Sequence, residues 1–380
     1  MKALILSCNT GQGHNAAGRA VKEELTRRGI ECKMLDALRF ARPKTSKHAT
    51  KVYVKTTTSF PEAFGAAYKV AGRISSAKRK SPVYLANILY SKKLYSYIRR
   101  EGYDCIVMPH LFPAEAITYI KKHYPLDAAC FFVATDYTCI PFTEETGMDV
   151  YFIPSDELIA EYKERGICRE KLVPVGIPVS KRFWEKKDRL ETRRGLGIGA
   201  EGPLVLIMTG SMGYGNIFAM VEVIEKGIPE DGRILILGGD NEKLKAKLRK
   251  EFQGNRKVLV LDYTPQADLY MDACDVLVTK PGGLTSTEAA AKGIPMVHSA
   301  PIPGCETKNA AFFSGHGMSV MGAGEKETGW QVLELLKNDA ARRRMEGAQK
   351  HYINARAASD ICDYMEAYCR GDREFTETRR

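Results

Sequence analysis

Short, uninterrupted apolar runs alternate along the chain with glycine turns and amphipathic stretches. The first run, residues 3–7, leads into the glycine turn 9–14 and then into a helical pattern that stops at Gly29. Runs that stay apolar at successive positions are typical of parallel strands buried on both faces. The alternation therefore indicates an α/β fold. It predicts strands at residues 3–7, 31–35, 105–108, 129–134, 204–208, 234–237, 258–261, 276–278 and 296–298.

A highly charged stretch at residues 181–194 divides these strands into two series. Each series repeats the order strand, glycine turn, helix, which is the order of a doubly wound sheet. The pattern therefore predicts two doubly wound, Rossmann-like domains that face each other across a cleft. We expect an N-terminal domain at 1–180, a linker at 181–199, a C-terminal domain at 200–345, and a C-terminal helix with a charged tail at 346–380.

Composition narrows the class of protein. The chain has 380 residues, of which 44% are hydrophobic and 27% charged, as in soluble globular proteins and unlike disordered, collagen-like or coiled-coil chains. No apolar run approaches the ~18 residues of a membrane-spanning helix, and residues 1–7 are too short for the core of a signal peptide. The ten cysteines include no Cys-x-x-Cys pair, which favours reduced thiols over disulfides or zinc. We therefore expect a cytoplasmic protein.

The net charge of +11 is concentrated in residues 37–100, here called the basic segment. It holds 15 of the 57 Lys and Arg but only one of the 46 acidic residues, Glu62, so it carries +14 and the rest of the chain −3. Bases interleaved with aromatic residues suit an anionic membrane surface, nucleic acid is the competing partner, and a solvated helical face needs no partner. The residues expected to touch lipid are Lys78, Arg79, Lys80, Lys92 and Lys93, with Tyr84, Leu85, Ile88 and Leu89 inserting beside them.

The first glycine turn has two interpretations. Gly11-x-Gly13-x-x-Ala16 after a strand, with Asp36 at the end of the next strand, matches the fingerprint of a dinucleotide-binding domain. Glycines also serve any other ligand that approaches a helix N-terminus closely. His14 at the tip of the turn is either a solvent-facing polar residue at a helix start, or a general base or phosphate donor at the mouth of the cleft.

A second strand, glycine turn and helix occupy residues 275–295. The amides at the start of this helix and its dipole form an anion site suited to a diphosphate. Glu288 is either the acid of a capping box that begins at Thr285 or an acceptor for two ribose hydroxyls. Glu306 and Asn309, on one side of a helical turn, suit sugar hydroxyls. The chain contains no P-loop sequence, which argues against a P-loop NTPase, and no Asp-x-Asp, the usual metal clamp of a sugar diphosphate. We therefore expect no bound metal, and we also expect no cofactor.

Three pieces of the chain together resemble glycosyltransferase family 28, and within it the monogalactosyldiacylglycerol synthases and the processive diacylglycerol glucosyltransferases. These pieces are the stretch 279–309, the turn Gly11-Gln-Gly-His14, and Leu261-Asp-Tyr-Thr-Pro-Gln266 with Met271-Asp-Ala-Cys-Asp275. The resemblance implies the GT-B fold, with the sugar nucleotide on the C-terminal domain and the lipid acceptor on the N-terminal one. It also implies an inverting, metal-independent hexose transfer from a UDP-sugar to diacylglycerol.

The same resemblance assigns roles to single residues of this chain. Glu288 would bind the ribose, while Gly13, His14 and His110 would lie on the acceptor side. The other donor contacts would be Gly210, Ser211, Met212, Gly282, Gly283, Leu284 and Thr285 at the diphosphate, Tyr263 and Thr264 at the uracil, and Glu306 and Asn309 at the sugar. Related enzymes often have Pro-Gly-Gln-Glu where this chain has Pro303-Gly304-Cys305-Glu306, so glucose and galactose both stay open as the donor sugar.

An inverting transfer needs a base within hydrogen-bond reach of the acceptor hydroxyl. The candidates are His14 and Asp136, which follows a predicted strand. We favour His14, because an exposed aspartate has a pKa near 3.9 and is a weak base. Asp136 would equally serve to orient the imidazole.

Other functions remain open at this point. A related transferase for a polyprenyl-linked wall intermediate and a UDP-sugar 2-epimerase share the expected fold, and an NAD-dependent oxidoreductase fits the first glycine turn. The basic segment argues against the epimerase, and the helix that carries Glu288 argues against the oxidoreductase. A nucleic-acid binder would leave the donor-like sequence without a use. We therefore expect a peripheral protein at the inner face of the cell membrane, with no nucleic-acid partner.

Overall fold

The computed structural model describes residues 1–9, 12–41, 65–66, 68, 70–72, 80–199, 201–209, 217–239 and 241–379. The chain forms two compact units. Unit 1 comprises Met1–Ser180, Pro303–Cys305 and Asn354–Arg380, and unit 2 comprises Lys181–Ile302 and Glu306–Ile353. The stretch 181–199 contains a helix and is part of unit 2, whereas the C-terminal residues pack into unit 1.

Strands and helices alternate through both units. In chain order they are β1 (Lys2–Ser7), α1 (Gln12–Arg27), β2 (Glu31–Asp36), α2 (Pro82–Ile88), α3 (Ser91–Glu101), β3 (Cys105–Met108), α4 (Leu111–His123), β4 (Ala129–Val133), β5 (Val150–Ile153), α5 (Ile159–Glu164), β6 (Leu172–Pro174), α6 (Arg189–Gly195), β7 (Leu204–Met208), α7 (Phe218–Gly227), β8 (Arg233–Leu237), α8 (Glu242–Glu251), β9 (Val258–Leu261), α9 (Ala267–Ala273), β10 (Val276–Thr279), α10 (Gly283–Ala291), β11 (Met296–His298), α11 (Cys305–Gly315), β12 (Val320–Met321), α12 (Glu325–Lys337), α13 (Asp339–Tyr352), α14 (Ala357–Arg370) and α15 (Arg373–Thr378).

Each unit contains one six-stranded sheet in which every neighbouring pair is parallel. The strand order is β2-β1-β3-β4-β5-β6 in unit 1 and β12-β11-β10-β7-β8-β9 in unit 2. The predicted α/β class is confirmed. The predicted strands are all present, and the structure adds β5, β6 and β12, which the sequence analysis missed.

The uninterrupted apolar runs are explained by burial on both faces of the sheet. In β1, Leu4 and Leu6 pack into the cluster that contains residues of α3 and α4. The alternate residues Ala3 and Ile5 pack on the other face, with residues of α1 and α14. Because successive side chains of a strand point to opposite faces, a strand covered on both sides has no polar position.

All strands of a sheet run in the same direction, but the order in which successive strands are added to each sheet reverses at one place, between β1 and β3 in unit 1 and between β7 and β10 in unit 2. Ligands of doubly wound sheets bind outside the carboxyl ends of the strands at such points. The turns that follow β1 and β3, and the turn that follows β10, are therefore the places to look for a site. Among the described residues, no helix is long and apolar enough to cross a membrane.

Candidate active site

In unit 1 the point of reversal brings His14 and His110 together. His14 lies in the first turn of α1, directly after Gly13, and His110 lies between β3 and α4. Their ring centroids are 4.5 Å apart and the rings meet edge to face. Residues 14 and 110 come from the turns that follow β1 and β3, so the topology accounts for the contact.

The hydrogen bonds of His14 define its tautomer. Nδ1 lies 2.8 Å from the carbonyl oxygen of Pro109 and 2.9 Å from Oγ1 of Thr135. A carbonyl oxygen only accepts, so the hydrogen of the neutral ring is on Nδ1 and the lone pair is on Nε2. In this tautomer Nε2 is the ring nitrogen that can accept a proton.

His110 has the opposite tautomer. It is the N-cap residue of α4, and its Nδ1 accepts a hydrogen bond from the backbone N–H of Phe112 at 3.1 Å. Nδ1 must therefore lack a hydrogen, and Nε2 carries it. Burial, and the charge that His14 would carry, lower the pKa of His110 well below its usual range. His110 therefore stays a neutral N–H donor.

The pKa of His14 is also lowered by burial, but the carboxylate of Asp136 and the carbonyl of Pro109 oppose the shift. Of the two imidazoles, His14 is thus the one that takes up a proton. His14 and Asp136 both line one narrow cavity of about 10 Å³, which is near the volume that one water molecule needs. The apolar part of its wall includes Leu111, Phe132, Ile140 and Tyr162. The two predicted base candidates are therefore neighbours.

In unit 2 the turn after β10 leads into α10, as predicted. Gly282 is the N-cap residue and makes no side-chain capping bond, and Gly283, Leu284 and Thr285 form the first turn of the helix. The first amides of a helix have no intrahelical acceptor and, with the helix dipole, favour an anion. The predicted diphosphate contacts Gly282, Gly283, Leu284 and Thr285 are thus grouped at one helix end.

The interpretation of Glu288 as a capping-box acid is wrong. A capping box requires Thr285 at the N-cap position, whereas the helix begins two residues earlier and Thr285 lies inside it. Glu288 falls in the second turn of α10 and is buried. Its proposed role toward a ribose is not affected by this correction.

Three contacts hold α10 in place. Oγ of Ser286 lies 3.0 Å from Nε2 of His298 at the end of β11, and burial lowers the pKa of His298 to about 3, so this ring is neutral. Lys292 forms a fully buried ion pair with Asp272 at 2.7 Å. Asn309 of α11 donates from Nδ2 to the carbonyl oxygen of Pro281 at 3.1 Å. These contacts fix the direction of the helix end and of the glycine turn.

The remaining predicted donor residues lie in several places. Glu306 accepts a hydrogen bond from the N–H of Ile302 at 2.9 Å and forms an ion pair with Lys280. Tyr263 follows β9 with 70% of its surface exposed, and Oγ1 of Thr264 accepts from the N–H of Gln266. The predicted residues Gly210, Ser211 and Met212 lie outside the described part of the chain.

Lys280, beside the predicted diphosphate contacts of unit 2, is a residue that the sequence analysis missed. It stands directly after β10 and before the glycine turn, so a basic residue beside a phosphate-binding turn was the available signal. Thr135 was missed as well, because its contact with His14 joins residues far apart in the sequence.

Asp36, the acid of the dinucleotide fingerprint, has a structural role. Its Oδ1 accepts from the N–H of Leu38 at the start of a 3₁₀ turn, and its Oδ2 accepts from Asn9 at 2.9 Å. The carboxylate thereby ties the first glycine turn to the end of β2. This use gives no support to the NAD interpretation.

The described part of the basic segment presents an exposed surface on α2 and α3. Lys92 and Lys93 are exposed in the first turn of α3, and Leu85 and Leu89 expose 54% and 85% of their surface. Lys80 donates to the carbonyl oxygen of Glu145 at 2.5 Å. Tyr84 is buried, so the expectation that its ring inserts into lipid is wrong. The predicted lipid contacts Lys78 and Arg79 lie outside the described residues.

The chain matches two families of known proteins. Residues 14–179 match the family described as Monogalactosyldiacylglycerol (MGDG) synthase, and residues 190–352 match Glycosyl transferases group 1. A processive diacylglycerol beta-glucosyltransferase from Bacillus mycoides is 25% identical over 369 residues, which cover 96% of this chain and 93% of that protein. The protein of the same name from Staphylococcus carnosus is 26% identical over 354 residues, 90% of this chain and 86% of that one.

Solved structures share the fold. The crystal structure of Acinetobacter baumannii MurG aligns with a TM-score of 0.62 at 15% identity, covering 96% of this chain and 99% of that chain. The UDP-GlcNAc 2-epimerase from Neisseria meningitidis, bound to UDP-GlcNAc, aligns with a TM-score of 0.64 at 12% identity over 96% and 99% of the two chains.

Two doubly wound units with candidate sites at their points of reversal, together with these matches, define the protein as a glycosyltransferase of the GT-B fold. Over most of its length it is similar to the processive diacylglycerol glucosyltransferases, and its N-terminal half matches the monogalactosyldiacylglycerol synthases. The predicted resemblance to glycosyltransferase family 28 is confirmed.

Proposed function

We propose that the protein transfers a hexose, glucose or galactose, from a UDP-sugar to diacylglycerol with inversion at the anomeric carbon. The observation that carries the proposal is the tautomer of His14, whose Nε2 lone pair is available in the unit that matches the MGDG synthase family. The names of the relatives support diacylglycerol as the acceptor. The helix end at Gly282 supports a diphosphate-linked donor.

The reaction is a single displacement. Nε2 of His14 takes the proton of the acceptor hydroxyl as its oxygen forms a bond to the anomeric carbon. The bond from that carbon to the diphosphate breaks on the opposite face, and UDP leaves with the electron pair. The amides at the start of α10 stabilise the charge that develops on the diphosphate, and they do so without reorganising. Asp136 favours the imidazolium that forms, because its carboxylate raises the pKa of His14.

The acceptor is a membrane lipid, so the proposal includes the inner face of the cell membrane as the place of reaction. The exposed pair Leu85 and Leu89 beside the exposed Lys92 and Lys93 supports it. Apolar side chains flanked by bases suit the interface of an anionic bilayer.

The test of the whole proposal is an assay with radiolabelled UDP-glucose or UDP-galactose and vesicles that contain diacylglycerol. We expect label in the lipid fraction, and proton NMR of the product should give the β-anomeric configuration if the donor is the α-anomer. Label that appears only as free sugar, or conversion of a UDP-sugar to its 2-epimer, would overturn the assignment.

Nucleotide preference is a first prediction. UDP should raise the melting temperature and NAD should leave it unchanged, because the anion site at α10 suits a diphosphate and Asp36 is engaged elsewhere. At a concentration of one hundred times its dissociation constant, UDP should stabilise the fold by about 2.7 kcal/mol. Differential scanning calorimetry measures both. Tight binding of NAD without binding of UDP would reverse the ranking of the two glycine turns.

The role of Glu288 is a second prediction. Glu288→Ala should weaken UDP binding roughly ten- to a hundred-fold, the loss expected for hydrogen bonds to a charged group. The same substitution should matter much less for 2′-deoxy-UDP, which lacks one of the hydroxyls, and calorimetric titration of both nucleotides measures the difference. Equal weakening of the two nucleotides would contradict a contact with the 2′-hydroxyl.

A further inference from the structure

Lys280 and Glu306 neutralise each other beside the glycine turn of unit 2. Lys280 follows β10 directly, and its amine is bonded to Oε1 of Glu306 near the start of α11. Oε2 of Glu306 accepts the N–H of Ile302. The lysine side chain keeps 22% of its surface exposed and the glutamate 10%. The pair is therefore partly buried but reachable from solvent.

The position of the lysine matters because of what lies beside it. Two residues separate Lys280 from Gly283, where α10 begins, and Asn309 of α11 holds the intervening Pro281 by its carbonyl. A helix end offers an anion about half an elementary charge, whereas a lysine offers a full one. As long as Lys280 is paired with Glu306, the two side chains add no net charge to the anion site.

Opening this pair is costly unless both partners find replacements. Removing one partner from a partly buried ion pair leaves the other charge without compensation. The free-energy cost of that uncompensated charge exceeds the net stabilisation that the pair provides. A diphosphate is a suitable replacement for Glu306 at Lys280. Sugar hydroxyls, which donate hydrogen bonds, are a suitable replacement for Lys280 at Oε1 of Glu306.

We propose that the donor exchanges this ion pair: Lys280 turns to the diphosphate while Oε1 of Glu306 accepts from a hydroxyl of the transferred sugar. The inference rests on the proposed function and adds a residue and a selectivity to it. Only the intact UDP-sugar satisfies both side chains. UDP, the product, satisfies Lys280 but leaves Glu306 without its partner. The exchange therefore favours the substrate over the product and assists release of UDP.

The test is calorimetric titration of UDP-glucose, UDP-galactose, UDP and uridine against three proteins, the parent, Lys280→Gln and Glu306→Gln. Lys280→Gln should weaken the binding of UDP and of the UDP-sugar roughly ten- to a hundred-fold and leave uridine unchanged. Glu306→Gln should tighten the binding of UDP, because it frees Lys280, and should not tighten the binding of the UDP-sugar. The ratio of the two affinities should thus fall in Glu306→Gln.

Lys308→Gln is the matched control, since Lys308 is an exposed lysine on the same helix as Glu306 and should change none of the affinities. If Lys280→Gln fails to fold, Lys280→Arg, which keeps the charge, and Glu306→Gln still report the ratio. If Lys280→Gln and Glu306→Gln weaken UDP binding equally, the ion pair has a purely structural role. That result would overturn the proposed exchange but not the proposed function. A parent protein that binds neither UDP nor a UDP-sugar would overturn the proposed function as well.

Discussion

Replacing His14 with alanine should reduce turnover by roughly 10²–10⁴, the contribution that general acid–base catalysis usually makes. UDP affinity should change little, because the donor site proposed in unit 2 does not include this residue. The expectation follows from the hydrogen bond to Pro109, which leaves Nε2 of His14 as the only ring nitrogen with a lone pair. Initial rates with saturating UDP-sugar and diacylglycerol vesicles measure the effect, and UDP titration is the control.

The pH dependence of turnover tests the same assignment. A base must be neutral, so activity falls as pH drops through the pKa of His14, which burial places below its usual value of about 6.5. The rate should therefore be level through neutral pH and decline only in the acid range. Asp136→Asn removes the carboxylate that raises this pKa, so its decline should begin at a lower pH than that of the parent.

The two base candidates are separated by comparing their variants. His110, whose ring contacts that of His14, is unchanged in both variants. If Asp136→Asn is inactive while His14→Ala keeps nearly full activity, the base is Asp136 and His14 only packs against the turn. If both variants lose most of their activity, the pH profile of the activity that remains in Asp136→Asn decides: a decline that begins at a lower pH than in the parent identifies His14 as the group that titrates.

Neutralising Lys78, Arg79, Lys80, Lys92 and Lys93 together should weaken binding to anionic vesicles by up to about 5 kcal/mol, at about 1 kcal/mol for each base near the surface. The basic segment carries +14 and the rest of the chain −3, so the attraction should reside there. Binding should also fall with salt, because the Debye length shrinks to ~3 Å at 1 M. Vesicle co-sedimentation across phosphatidylglycerol content and ionic strength measures this.

A salt-insensitive remainder should come from apolar side chains. We expect this contribution from Leu85 and Leu89, which are exposed, and not from Tyr84, which is buried. Leu85→Ser with Leu89→Ser should therefore remove binding that persists at high salt. A control that neutralises Lys243, Lys247 and Lys250, exposed bases of α8 in unit 2, should bind like the parent. Equal binding to neutral and anionic vesicles would refute the membrane proposal, and preference for duplex DNA at physiological salt would identify a nucleic-acid surface instead.

The sequence by itself determined the class of fold and most of its strands. Strands such as β3 and β4 are buried on both faces, so their apolar runs are visible without knowledge of any partner. The strands that were missed include β6 and β12, of three and two residues, which are too short to form a distinct run. The order strand, glycine turn, helix likewise indicated that a helix follows the turn after β10, because the need for small residues at such a turn is local.

The chemistry of the site was decided by tertiary structure. The tautomer of His14 depends on a carbonyl 95 positions away, and the net charge of the donor turn depends on an ion pair between residues 280 and 306. The capping box at Glu288 was a sound local pattern that the actual start of α10 excludes. Such features follow from which side chains the parallel sheet brings to its carboxyl edge, and a pattern along the chain does not contain those distances.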